Sequence, residues 1–295
     1  MARNRTLQNK LEYLVFLPVV VFFRALPRTL SLRCGERLGS LALILMAGRR
    51  KLVLRNLSRS FPEKSSSEIE TLCKKTFRHI GISVAEMINI DRFHGKQDLD
   101  RYFTFEGLEH LEAAKSMGRG VLLATGHVGF WEIGAFFLPE LGFKPAFVAK
   151  KAKNPYINDY MIRLREHGGA QVIDANKGAR QIVKNLMEGN CVGVLIDHHM
   201  HAREAVQVPF FDRPAWTTPI ITQIAMKRNI PVIPIFVYRT EDFKYRVVID
   251  AAIFLEGEIN DENVTANTAR LTNIIEDAIR VEPSQWFWVH KRWKQ

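Results

Sequence analysis

The sequence predicts an α/β fold: a largely parallel central sheet with helices on both faces, preceded by an N-terminal membrane-anchoring helical segment. Three observations carry that expectation. From about residue 100 onward, short apolar β-rich runs alternate with longer amphipathic ones, as in strand–helix–strand units. Two of the runs, residues 121–124 and 191–196, are apolar without interruption, as strands buried on both faces are. Each leads straight into a polar turn, His127 after the first and Asp197 after the second, at the sheet edge where open α/β proteins hold ligands. With 295 residues and 47% hydrophobic composition, the chain can bury the core of one large domain.

The first 60 residues differ in character from the rest. They hold twelve Lys/Arg against two Glu, whereas the other 235 hold thirty against twenty-nine, so the net charge of +11 is concentrated at the N-terminus. A basic chain first suggests nucleic acid. Here the basic residues are interleaved with the apolar runs 14–23 and 38–48, which points to an anionic membrane surface and not to a duplex. The apolar stretch 13–23 is shorter than the ~20 residues a helical span needs. No small-residue cleavage site follows it, so an uncleaved interfacial helix is expected and not a signal peptide; a full single span is the alternative. Residues 1–60 are therefore read as a basic, apolar membrane anchor and 61–295 as the catalytic domain. Cys34, Cys73 and Cys191 are far apart and form no C-x-x-C pair, which fits a reducing compartment or buried free thiols and not a disulfide framework.

Taken in order, residues 49–59 form a helix with basic residues on one side, and Phe61-Pro62 ends it. Ser65 and Glu68 make a capping box for a helix running to about residue 90. A strand at 102–106 and a helix at 108–117 lead to the strand at 121–124, followed by an apolar helix from about Gly129. Further strands are expected at 144–149, 171–173, 191–196, 230–238 and 245–249. Between them lie helices started by Asn154-Pro155, at 177–188 and at 220–227, with a long one at 264–281. Prolines stiffen residues 208–219 into a loop that could line an apolar slot, a plain buried loop being the competing account. Residues 283–293 gather Trp286, Trp288 and Trp293 with His290, Lys291 and Arg292, a composition suited to a lipid headgroup interface, to support of a site or to core packing.

The chemistry centres on GHVGFWE, in which His127 and Glu132 are spaced H-x4-E. On one continuous helix that spacing turns through roughly 500°, leaving the two side chains apart. They meet if His127 lies in a loop ahead of the first turn, which Gly126 and Gly129 permit. A histidine held by a carboxylate is poised to take a proton from a hydroxyl; a chance His–Glu spacing is the plain alternative. Asp197-His198-His199-Met200-His201 invites a metal reading, but no distant Cys/His set completes a site, so no metal is expected. A polar loop in which Asp197 caps a turn is the other account. Arg163 and Arg165, late in their helix, either complement its dipole or grip a phosphate or carboxylate.

GHVGFWE, the DHHMHA…VPFFDRPAWTTP block and the closing PSQWFWVHKRWK together resemble the bacterial lipid A biosynthesis acyltransferases, nearly end to end. H-x4-E alone is shared with the wider glycerolipid acyltransferases. The resemblance implies a glycerolipid-acyltransferase-like fold and transfer of a fatty acyl chain to a hydroxyl of a lipid A precursor or related glycolipid. The donor would be an acyl carrier protein or CoA thioester, the place the cytoplasmic face of the bacterial inner membrane, and no cofactor is implied. His127 matches the family's base, Glu132 its partner, Arg165 (or the nearby Arg163) its arginine and Asp197 its later aspartate. The sequence departs from the pattern at Phe130, where many members carry asparagine, at His198, where glutamine is frequent, and at Asp212, where glycine is usual. The expected mechanism is direct transfer without an acyl-enzyme, since no G-x-S-x-G occurs. Backbone N–H groups at the start of the Gly129 helix would steady the oxyanion. The rivals are a thioesterase using the same pair, a metal-dependent phosphoesterase using residues 197–201, and a non-catalytic membrane-binding protein.

Overall fold

The computed structural model describes residues 2–294, apart from the side chains of residues 2–4 and of residue 177. Four helices lead the chain: α1 (Ala2–Ala25), α2 (Arg28–Leu45), α3 (Ala47–Ser60) and α4 (Ser66–Ile88). The eleven-residue apolar run extends into a longer helix, because Arg5–Ala25 continues without a break through Pro18. That stretch, with a mean hydropathy of 1.2, is long and apolar enough by length and composition to cross a membrane. It leaves Leu7, Leu11, Leu14, Val15 and Val21 exposed, and α2 adds Leu38, Leu41, Ile44 and Leu45. As a helix, α2 was not anticipated. Its Gly35 and Gly39 let it press against α4, where a Cβ on Gly81 would lie 2.1 Å from the Gly35 carbonyl oxygen. The capping box at the start of α4 forms as expected: Ser65 N–H donates to Glu68 (2.9 Å), and Glu68 N–H donates back to the Ser65 hydroxyl (3.4 Å).

The rest of the chain alternates as its pattern predicts. After α5 (Gly95–Tyr102) come β1 (Phe103–Glu106), α6 (Leu108–Ser116), β2 (Val121–Thr125), α7 (Gly134–Glu140), β3 (Pro145–Ala149), α8 (Pro155–Glu166) and β4 (Gln171–Asp174). Then follow α9 (Gly178–Met187), β5 (Cys191–Leu195), β6 (Val206–Phe210), β7 (Arg213–Thr217), α10 (Ile220–Arg228), β8 (Val232–Arg239), β9 (Tyr245–Ile249) and α11 (Asp261–Val281). Seven strands form one sheet in the order β1-β9-β8-β2-β5-β3-β4, parallel except for the β8–β9 pair. Successive residues of β2 enter different cores. Leu122 and Ala124 pack with α11 residues such as Leu271 and Ile275, and Val121 and Leu123 pack with Phe136 and Phe137 of α7. Helices therefore cover both faces.

Two local expectations are corrected. Residues 208–219 are not simply a loop: β6 and β7 pair as an antiparallel hairpin, with Pro209 opposite Pro214. Its two-residue turn puts Phe211 (φ 51°) and Asp212 (φ 54°) both in the left-handed region, the backbone of a tight primed turn. That conformation explains why glycine suits position 212. Nor does a helix begin at Gly129. Gly129 has φ 61°, and a Cβ there would sit 1.6 Å from the Val237 carbonyl oxygen, so the chain passes β8 in contact with its backbone. Only a short 3-10 turn at Trp131–Ile133 and then α7 follow.

Candidate active site

The site is built by strand register. β2 and β5 are parallel neighbours with Thr125 opposite Leu195, so His127 and Asp197, each two residues further on, emerge side by side from the carboxyl edge. Asp197 is completely buried and bonded on both oxygens. Oδ1 lies 2.8 Å from His127 Nδ1, and Oδ2 accepts from the His127 backbone N–H (2.7 Å) and from Trp286 Nε1 (2.7 Å). Burial alone would raise this carboxyl, but the His127 and His198 rings and the Trp286 donor hold it well below the usual carboxylate range. An ionised Asp197 can only accept, so the proton between them belongs to His127 Nδ1, and Nε2 is left as the acceptor.

That nitrogen serves an apolar cleft of about 160 Å³, lined beside His127 by Ile80, Val84, Met87, Trp131 and Phe287. The His127 ring is fixed out of plane as well as in plane. His198 lies flat against it, with ring centres 3.6 Å apart and planes 3° apart, and Trp131 meets it edge-on at 4.7 Å. His290 stacks in turn on His198 at 3.9 Å and 10°. Behind them the buried Arg292 donates to the carbonyls of His198 and Trp216 and to the Thr217 hydroxyl. Burial pushes its guanidinium down only to about 10, so it remains cationic at neutral pH.

Burial pushes His198 down to about 3 and His290 to about 4, and holds the fully buried His79 well below 6.5. All three are neutral in the folded protein but take up protons near 6.5 once unfolded. Between about pH 6.5 and 4 the unfolded chain binds more protons, so stability falls as pH falls. A fully buried group contributes about 1.4 kcal/mol per pH unit, and the partly solvated pair contributes less. Urea unfolding should show a clear loss of stability from pH 7 to pH 5. His198→Phe should flatten that slope; an unchanged slope would mean that His198 titrates normally.

Glu132 does not hold His127. Its carboxylate faces Arg165 in two-pronged fashion, accepting from Nε (2.8 Å) and Nη2 (2.6 Å). The physical reason is the 3-10 turn: it directs residue 132 toward α8, while the β2–β5 register delivers Asp197 to the imidazole. Arg163, two residues before Arg165, is exposed, because helix positions two apart do not share a face. The backbone donors expected to meet an oxyanion are also engaged. Gly129 N–H donates to Gln285 (2.8 Å) and Phe130 N–H to Val237 (3.1 Å).

Two partners of the site went unforeseen, His79 and Glu86 on α4. His79 Nε2 donates to the Gly129 carbonyl (3.1 Å), and its Nδ1 accepts from Arg239 (2.6 Å). Arg239 pairs with the buried Glu86, which also accepts from the Tyr245 hydroxyl (2.7 Å). The sequence signal was a His and a Glu seven apart, on one face of an otherwise apolar helix surface. Atoms of His127, Asp197 and His198 lie within 4.8 Å of one another, close enough to suggest a metal. Parallel stacked rings, however, aim their in-plane lone pairs along parallel lines, and these do not converge on one ion.

Fold and site thus define a class: an α/β enzyme with a histidine–carboxylate pair at the carboxyl edge of its sheet, opening on an apolar cleft. The family described as bacterial lipid A biosynthesis acyltransferase matches residues 2–295, and the chain belongs to that family. It is an O-acyltransferase. It is 29% identical over 272 residues to the lipid A biosynthesis lauroyltransferase of Escherichia coli (strain K12), covering 91% of this chain and 87% of that one. The palmitoleoyltransferase of the same organism is 26% identical over 263 residues, covering 88% of this chain and 83% of its own length. A lipid A biosynthesis acyltransferase of Haemophilus influenzae is 26% identical over 295 residues (96% and 91%). Among solved structures, the 1-acyl-sn-glycerophosphate acyltransferase of Thermotoga maritima aligns with a TM-score of 0.39 at 15% identity, covering 84% of this chain and 97% of its own.

Proposed function

We propose that the enzyme moves a fatty acyl chain from an acyl carrier protein (or CoA) thioester to a hydroxyl of a lipid A precursor or related glycolipid, with His127 as general base and Asp197 as its partner. The carrying observation is the His127 imidazole, backed by a buried carboxylate and facing an apolar cleft. His127 Nε2 takes the proton of the acceptor hydroxyl as its oxygen attacks the thioester carbonyl. The tetrahedral adduct then collapses, the C–S bond breaks, and the imidazolium returns the proton to the leaving sulfur. Asp197 holds Nδ1–H and balances the imidazolium. Two of the three cysteines are poor nucleophiles for an acyl-enzyme: burial pushes the Cys73 thiol up to about 11 and Cys191 to about 12. Glu132 keeps the Arg165 fork closed and so shapes the turn that carries Trp131.

Residues 1–60 act in this reading as the membrane anchor at the cytoplasmic face of the inner membrane, and residues 61–295 as the catalytic domain. The exposed apolar sides of α1 and α2 support it, as does the basic helix α3 that follows them. The test is product analysis with an acyl carrier protein thioester and a lipid A precursor in vesicles. The expected product is the acceptor heavier by one acyl group, found by mass spectrometry. Release of free fatty acid alone would replace this reading with the thioesterase one.

A further inference from the structure

The imidazole stack has a feature that hydrogen bonding does not explain. Asp197 fixes His127 in its plane but leaves rotation about the Nδ1–H···Oδ1 line free, and the flat face of His198 blocks that rotation. His198 Nε2 and His290 Nδ1 are both buried without a hydrogen-bond partner, so these rings are held for their faces and not for their nitrogens. We propose that His198, braced by His290, is a positioning residue that holds the His127 ring and offers a neutral aromatic face to the imidazolium formed when His127 takes the acceptor's proton. This rests on His127 being the base. A cation over an aromatic face is favoured, the more so where water is kept out.

The surroundings allow that role. Toward His127 the loop after β5 brings Asp197 and His198, the turn after β2 brings Trp131, and the C-terminal segment brings Phe287 and His290. On α4, His79 lines the same cleft, and Glu132, also on its wall, is spent on Arg165. Arg292 stands behind His198, bonded to its carbonyl, and adds positive charge on that side. Burial keeps His198 and His290 uncharged at neutral pH, so neither repels the imidazolium.

The test compares wild type with His198→Ala, His198→Phe and His290→Ala, full-length and in vesicles, with thioester donor and lipid acceptor. In His198→Ala, kcat should fall about 3- to 30-fold with KM within about twofold. The acidic limb of the pH–rate profile should move down by about half a unit to one unit, because a base that has lost the stabilised cation is weaker. His198→Phe keeps a face without a titrating nitrogen and should recover most of both. Carbon-13 labelling at histidine Cε1, with the His127 signal assigned from the His127→Ala spectrum, should report the same downward shift directly. Should His198→Ala fail to fold, His290→Ala should show a smaller shift in the same direction. A folded His198→Ala with wild-type kcat and limb, or a folded His198→Phe that recovers neither, overturns the proposal. If His127→Ala is itself active, the base assignment falls instead; an inactive His127→Ala beside a normal His198→Ala sinks only the role of the stack.

Discussion

Asp197→Asn is expected to lower kcat by about 10³- to 10⁴-fold, close to the loss from His127→Ala. The carboxylate accepts three N–H groups, from the His127 ring, the His127 backbone and Trp286. An amide turns one of those acceptors into a donor, so a donor faces a donor or His127 changes tautomer and loses its free Nε2. Glu132→Gln keeps two acceptor-sized groups near Arg165 and should cost on the order of tenfold, through the shape of the turn that carries Trp131. Initial rates at saturating donor and acceptor, with melting curves to confirm folding, distinguish the two. A larger loss from Glu132→Gln than from Asp197→Asn would return the imidazole's partner to the H-x4-E carboxylate.

Glu86→Ala should destabilise the protein by about 3–5 kcal/mol, because it strands the Arg239 guanidinium in a buried setting. The Tyr245 hydroxyl loses its acceptor too. Glu86→Leu combined with Arg239→Met removes both charges and should cost far less than either single change. Urea unfolding of the single and double variants measures this directly, and a double variant no more stable than Glu86→Ala would refute the pairing account. Both changes should also lower activity, because Arg239 holds His79, and His79 holds the Gly129 carbonyl next to His127.

The alternation of apolar and amphipathic runs was enough to place the β-strands of the main sheet and most of its helices, β2, β5 and β8 most plainly because both of their faces are buried. α2 escaped because no side-chain cap marks its start, and its glycines are there to let two helices touch, a tertiary reason with no local signature. The β6–β7 hairpin escaped because its prolines suggest a loop, although a two-stranded ribbon can tolerate them. At the site, His127 and Asp197 were both legible as residues leaving the same sheet edge. Their pairing was not, since it depends on which strands are neighbours. Proximity in sequence favoured Glu132, five residues from His127, over Asp197, seventy residues away. The supposed oxyanion donors at Gly129 failed for a related reason: the contacts that occupy them come from Gln285 and Val237, far along the chain.

Because neighbouring strands set the distance between His127 and Asp197, the two meet wherever β2 pairs in register with β5. No hinge has to swing and no loop has to fold over for His127 to find its partner. In the proposed reaction, substrate would therefore meet a pair already assembled. Substitutions in the cleft wall, at Ile80 or Val84 for example, change the space beside His127 while leaving that strand-set contact in place.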